Sequence, residues 1–163
     1  RCKRPVWVSW RLDETYIKVK GEWKYLYRAV DKYGKTIDFL LTEHRDEQAA
    51  KRFLTKAIRR HGGVPETITI DGSAANEAAI KSYNAEHGTA IVIRKTTYLK
   101  NILEQDHRAV KRITRPLLGF KAFDAAQATL TGIELMHMLR KGQLAGGEEA
   151  GLTAAEQFYA LAA

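Results

Sequence analysis

Three acids in this chain have the type and spacing to do chemistry together: Asp13, Asp71 and Glu104. Carboxylates are hard oxygen ligands, and no thiol or histidine cluster lies near them. Such a set suits Mg²⁺ or Mn²⁺ rather than zinc. If the three meet, the chemistry they favour is in-line displacement at a phosphodiester. Two ions roughly 3.5–4 Å apart would activate the attacking oxygen and stabilise the leaving one. Each acid also has a plainer reading. Glu14 follows Asp13 directly, and strand alternation alone does not say which of the two faces a site. Asp71-Gly72 is a common turn opener. Glu104 lies three residues after Asn101 and would complete a capping box there.

Whether the acids meet depends on the elements that carry them. Val6 to Lys20 reads as a long strand, and Gly21-Glu22 as a turn. Trp23, Tyr25, Tyr27 and Ala29 then alternate with Lys24, Leu26, Arg28 and Val30, the period of a second strand. A turn at Asp31–Gly34 leads to a third strand over Thr36 to Thr42. Asp46 is placed as an N-cap, with Ala49, Ala50, Phe53, Leu54, Ala57 and Ile58 behind it at helical spacing and Gly62-Gly63 as the stop. The β-branched run TITI, residues 67–70, predicts a fourth strand ending at Asp71. A helix over about Ala74 to Glu86 follows, then a buried strand over Thr89 to Arg94. Asn101 is expected to cap a helix reaching Arg115, where Pro116 breaks the pattern. Asp124 starts a last long helix reaching Lys141, whose Ile133, Leu135, Met136, Met138 and Leu139 are expected to pack on the core. GQLAGGEEAG reads as a linker, and Thr153 with Glu156 as the capping box of a short final helix.

The order is βββαβαβαα. A meander followed by two right-handed crossovers lays the fourth strand parallel to the first. The predicted fold is α/β with a mixed, five-stranded, ribonuclease-H-like sheet in order 3-2-1-4-5, flanked by helices; a generic α+β sandwich is the competitor. In the predicted topology Asp13 and Asp71 are neighbours, and Glu104 opens the helix after strand five. Ligands of such sheets gather where the strand order switches direction.

Charge adds a second line of reasoning. Lys and Arg number 27 against 19 Asp and Glu, a net charge of +8. Residues 1–45 carry net +5 and residues 94–121 net +6, whereas 46–93 are neutral and 122–163 carry −3. Two concentrated basic segments are what a polyanion groove would produce, although a solvated face is the bland alternative. Positions 104, 107, 108, 111 and 115 share one helical face, setting Glu104 beside His107, Arg108, Lys111 and Arg115. His107 is expected to contact phosphate or water rather than a metal. Glu104-x-x-His107 is half of a di-iron motif, but that fold needs two copies and two further Glu-bearing helices, so it is discarded. The single cysteine, Cys2, excludes a disulfide frame or a zinc cluster and fits a reducing compartment. No apolar run approaches the roughly 18–20 residues of a membrane helix.

The stretches WRLDETYIKVKGEWKYLYRAVDKYGKTIDFLLT, ITIDGSAAN, YLKNILEQDHRAVKRITRPLLGFKAF and GIELMHMLRKGQ resemble the transposases of bacterial insertion sequences. The similarity points to the insertion-sequence-six family, within the DDE, retroviral-integrase-like superfamily, and runs over roughly residues 6–143. It implies a DDE catalytic core at residues 1–143, with residues 144–163 as a linker and short helix. The triad it implies is Asp13, Asp71 and Glu104, at separations of 58 and 33 positions, which selects Asp13 over Glu14. Lys111, seven positions after the Glu, is implied to touch DNA near the scissile phosphate, with Arg108, Arg112, Arg115 and His107 as further contacts. The family's N-terminal helix-turn-helix region is expected to lie outside this chain. The segment after Asp71 reads GSAAN where many relatives have a Pro- and Tyr-containing stretch.

The resemblance implies Mg²⁺, replaceable by Mn²⁺ and held as two ions. It also implies double-stranded DNA as partner, an assembly of at least two copies, and a cytoplasmic, nucleoid-associated protein. The expected activity is 3′-end cleavage and strand transfer. The alternatives are another ribonuclease-H-like nuclease or a catalytically inactive DNA-binding remnant.

Overall fold

A computed structural model describes residues 8–96, 100–143 and 151–162, with the backbone alone at 100–106 and at 161–162. Of the linker expected at 142–151, residues 144–150 lie outside the described residues, and Gln143 does not behave as linker: it is buried, its Oε1 accepting the Thr36 N–H at 2.8 Å and its Nε2 donating to the Thr36 carbonyl at 3.0 Å. Three antiparallel strands open the chain: β1 (Ser9–Val19), β2 (Glu22–Asp31) and β3 (Thr36–Thr42). Helix α1 (Glu47–His61) leads to β4 (Thr67–Ile70), and α2 (Ala74–His87) to β5 (Val92–Lys95). Helices α3 (Lys100–Thr114), α4 (Phe123–Arg140) and α5 (Ala154–Ala162) complete the order, with a 3₁₀ turn at Arg115–Leu117. The sheet runs β3-β2-β1-β4-β5, with β4 parallel to both β1 and β5. This is the mixed five-stranded sheet that the element order predicts.

Side-chain alternation along β1 divides the molecule. Trp10 and Leu12 point to one face, where they meet Phe53 and Leu54 of α1 and Ile80 of α2 in a buried cluster. Ile17 and Val19 point to the other, against Val110 of α3 and Ala126, Leu130 and Ile133 of α4. A sheet buried on both faces needs a helix layer on each side, and the chain supplies two such layers. Ile133 and Leu139 of α4 are buried, and Leu135, Met136 and Met138 are half-buried, so this helix packs on the core as expected.

The helix caps are set by local chemistry. Asp46 Oδ1 accepts the Ala49 N–H at 2.7 Å, and Gly62, at φ 81°, closes α1 in the left-handed conformation. At α5, Thr153 Oγ1 accepts the Glu156 N–H at 3.3 Å while Glu156 Oε2 accepts the Thr153 N–H at 2.7 Å, the reciprocal pair its sequence predicts.

Three expectations need correction. The fifth strand begins at Val92 rather than Thr89, because Asn84 draws the first half of the run to the end of α2. Its Oδ1 accepts from Thr89 Oγ1 at 2.8 Å and from the Ile91 N–H at 3.0 Å, and its Nδ2 donates to the Ile91 carbonyl at 3.0 Å. What remains is an edge strand with Val92 exposed, not a buried one. Helix α3 starts at Lys100, so Asn101 stands inside it and the capping-box alternative for Glu104 loses its cap position. Helix α4 starts at Phe123 behind Ala122, leaving Asp124 in the first turn, where a negative charge complements the helix dipole without capping.

Candidate metal centre and basic cleft

β4 reaches its last residue at Ile70, and Asp71 follows at the sheet end. The parallel register pairs Arg11 with Thr69, and continuing it by two residues brings Asp13 beside Asp71. Gly72, at φ 95°, turns the chain away, and Asp71 Oδ1 accepts the Ser73 N–H at 3.2 Å. The carboxylates of Asp13, Glu14 and Asp71 each present an oxygen within 4.8 Å of the others. The sequence-predicted pair is therefore brought together, and Glu14 joins it.

The two neighbouring acids on β1 are held differently. Asp13 Oδ1 accepts the Glu14 N–H at 2.8 Å, and Asp13 Oδ2 lies 3.7 Å from His107 Nδ1. Glu14, on the opposite face of the strand, accepts from the Arg45 guanidinium through Oε1 and from Asn76 Nδ2 at 2.8 Å through Oε2. Tyr27 sits across from Glu14 in the β1–β2 register. Burial first, and then the Glu14 charge, push its hydroxyl up to about 12. Glu14 is thus clamped by protein donors, while Asp13 receives little. Sequence reasoning missed this clamp because Arg45 and Asn76 lie 31 and 62 positions from Glu14. No local spacing announces them.

The carboxyl of Asp13 is raised from 3.8 to about 7. Burial is the largest cause, and the negative charges of Asp71 and Glu14 add to it; the Glu14 N–H and Arg45 pull the other way without prevailing. A buried carboxylate facing two others, with its charge left uncompensated, is a donor set that a divalent cation would balance. The residues fit a hard, oxygen-coordinated ion.

Helix α3 and the 3₁₀ turn that follows it supply the other wall. His107, Arg108, Lys111, Arg112 and Arg115 line, with Asp13, a cleft of about 720 Å³. Arg108, Arg112 and Arg115 are exposed and Lys111 is half-buried. His107 lines the same cleft but is 7% exposed, its Nδ1 3.7 Å from Asp13 Oδ2. Glu104 lies three residues ahead of His107 on the same helix, but its side chain is outside the described residues.

Residues 7–143 match the family DDE_Tnp_IS240, described as a DDE domain. Over 139 residues the chain is 37% identical to the transposase for the insertion sequence-like element IS431mec of Staphylococcus aureus. It is equally similar to the transposase for insertion sequence element IS257 in transposon Tn4003, also from Staphylococcus aureus. These alignments cover 85% of this chain, which spans 60% of the length of those relatives. Among solved structures, the integrase catalytic core domain of HTLV-2, in complex with magnesium, is similar in its dimeric form. The TM-score is 0.55 and the identity 17%, over 71% of this chain and 75% of that one. Its trimeric form gives 0.56 and 18%, over 72% and 75%. These two likenesses bear on the fold, which is the ribonuclease-H-like sheet of integrase cores. Taken with the motifs around Asp13, Asp71 and Glu104, the match over residues 7–143 means that the chain belongs to the DDE-domain family of insertion-sequence transposases, in the insertion-sequence-six group.

Proposed function

We propose that this chain is the catalytic domain of a DDE transposase, with Asp13, Asp71 and Glu104 as its metal-holding triad and DNA as its substrate. The observation that carries the reading is the convergence of Asp13 and Asp71 at the end of β4, beside a cleft walled by cations. Asp13 and Asp71 would hold two divalent cations jointly, and Glu104 would complete the second site. Magnesium, or manganese in its place, supplies Lewis-acid stabilisation of the displacement and a water deprotonated at neutral pH. Arg108, Lys111, Arg112 and Arg115 hold the phosphate backbone over the carboxylates, which alone would repel it. His107 packs against Asp13 and fixes the direction of its carboxylate. In the first step a water oxygen attacks phosphorus at the element end and the P–O3′ bond breaks, releasing a 3′-hydroxyl. In the second, that hydroxyl attacks a target phosphodiester and the target's own 3′-oxygen leaves.

Residues 1–143 form the catalytic unit in this reading, with 144–163 as an appended linker and helix. Two element ends must be held for joining, so the working form contains at least two copies. The protein would act in the cytoplasm, on the nucleoid; among the described residues no helix is long and apolar enough to cross a membrane. The test is Glu104→Gln, assayed for Mg²⁺-dependent cleavage and joining and, separately, for DNA binding. Both reactions are expected to disappear while binding persists. A fully active variant would overturn the triad. Strand transfer from a precut end separates a transposase from a nuclease that only hydrolyses.

A further inference from the structure

A second cleft, of about 550 Å³, lies beside the first and shares Lys111 and Arg115 with it. Its far wall is the β1–β2 hairpin, which contributes Tyr16, Lys18 and Trp23. Trp23 is 59% exposed and Tyr16 46%, a large aromatic area to leave in water. The rings are ordered against one another: Tyr16 stands 6.3 Å from Trp23 at 76° and 5.4 Å from Tyr25 at 60°. Lys18 pairs with Trp23 across the hairpin, its Nζ 5.9 Å from the Trp23 ring centroid. Arg45, which clamps Glu14, also donates to the Tyr16 hydroxyl at 3.5 Å, tying the aromatic wall to the carboxylate site.

β4 pairs with β1 over Ser9–Arg11, and further along Phe120 covers the same edge, bonding Lys18 O at 2.8 Å and the Lys20 N–H at 2.7 Å. The cleft lies at this second contact, where Tyr16, Ile17 and Lys18 of β1 face Leu118, Gly119 and Phe120. Gly119, at φ 104°, allows the approach, because a Cβ there would meet Lys18 O at 3.2 Å.

We propose that this cleft is a subsite for one unpaired nucleotide of the DNA lying across the catalytic cleft, its base stacked on Trp23 with the Tyr16 ring standing at its edge, and its flanking phosphates held by Lys18, Lys111 and Arg115. Three features select this occupant. The volume falls in the range of about 300–1,000 Å³ typical of small-ligand sites. No acid lines the cleft among the described residues, and its three cations match a phosphodiester. Exposed aromatic faces recruit bases only where these are unstacked, since a base inside the duplex has no face to offer. The subsite rests on the reading above in that it takes DNA to be the substrate.

The test is binding of the chain, at one fixed salt concentration and with Ca²⁺ present to balance the carboxylates, to two labelled DNAs of the same sequence. One is fully paired; the other carries a three-nucleotide single-stranded 3′ extension with 2-aminopurine as its first unpaired base. The wild-type chain is expected to bind the extended DNA about tenfold tighter, the scale on which base–aromatic stacking is lost to alanine, and to quench the 2-aminopurine. Trp23→Ala should erase the preference and the quench, and Trp23→Phe should keep most of both. If Trp23→Ala keeps the preference, or weakens both DNAs equally, the subsite is wrong. A wild-type chain that binds paired DNA with no preference also sinks the subsite, but spares the transposase reading. Binding to neither DNA sinks both.

Discussion

Replacing Asp13 by Asn should make the metal-free chain more stable, and by an amount that depends on pH. The carboxyl titrates near 3.8 when the chain is unfolded and at about 7 when folded. A raised acid holds its proton more tightly in the fold, so ionising it costs stability. That cost is absent below about pH 4, grows as pH rises, and is complete above about pH 7. The interval is a little over three pH units, each about 1.4 kcal/mol, which gives about 4 kcal/mol at pH 8 and about 1.5 kcal/mol at pH 5. The Asp13 side chain is 20% exposed, so solvent screens little of this. Against a total stability of about 5–15 kcal/mol the effect is large. At this chain length it corresponds to a melting temperature higher by roughly 10 °C. Asn keeps the shape and still accepts the Glu14 N–H, so the substitution removes charge and little else. Urea denaturation of both proteins in EDTA at pH 5 and pH 8 reads the difference directly. Mg²⁺ added at pH 8 should then raise the wild-type midpoint and leave that of Asp13→Asn nearly unmoved, since a ligand stabilises only the state that binds it. The reasoning is refuted if the variant is no more stable than wild type at pH 8, or if its advantage is the same at both pH values.

Two further outcomes are expected. Asp71→Asn should bring the Asp13 carboxyl below about 7 without returning it to 3.8, because burial, the largest cause, remains; a carboxyl-carbon NMR titration in EDTA checks this, and an unmoved value would mean the two charges do not interact. Arg28 and Glu134 form a fully buried pair at 2.8 and 2.9 Å between β2 and α4. Arg28→Met strands the carboxylate and should cost about 3–5 kcal/mol in urea denaturation, most of it recovered in Arg28→Met/Glu134→Leu.

The topology was readable because each element carries its own local signal. Asp46 and Gly62 bracket α1, the TITI run stops where Asp71 leaves the sheet, and the alternation of Trp23, Tyr25 and Tyr27 marks a strand. The fifth strand's boundary moved because a side chain acts across the expected limit: the Asn84 amide pairs with Ile91 in place of a strand neighbour. At the site, the meeting of Asp13 and Asp71 follows from the strand order, which periodicity supplied. The partners that distinguish Asp13 from Glu14 do not, and neither does the Arg28–Glu134 pair, 106 positions apart. Local pattern carries secondary structure and hence topology; pairings between layers are settled by packing, which no spacing encodes.

The split between the two acids on β1 bears on why the basic residues stand where they do. A site meant only to be stable would set its cations against its carboxylates. The charges acting most strongly on Asp13 include a single cation, Arg45, and that guanidinium is committed to Glu14. The cations of α3 line the same cleft yet do not hold the Asp13 carboxyl down. Asp13 is therefore short of positive charge, while the rim of the same cleft is lined by cations. In the function proposed above, a divalent ion on the floor and a phosphodiester across the rim would complete both halves at once. A cation alone leaves the rim unbalanced, and a polyanion alone is repelled by the floor. The net charge of +8 is fixed by composition whatever the pairings; what the fold adds is its placement, with cations on the rim of the cleft and acids on its floor.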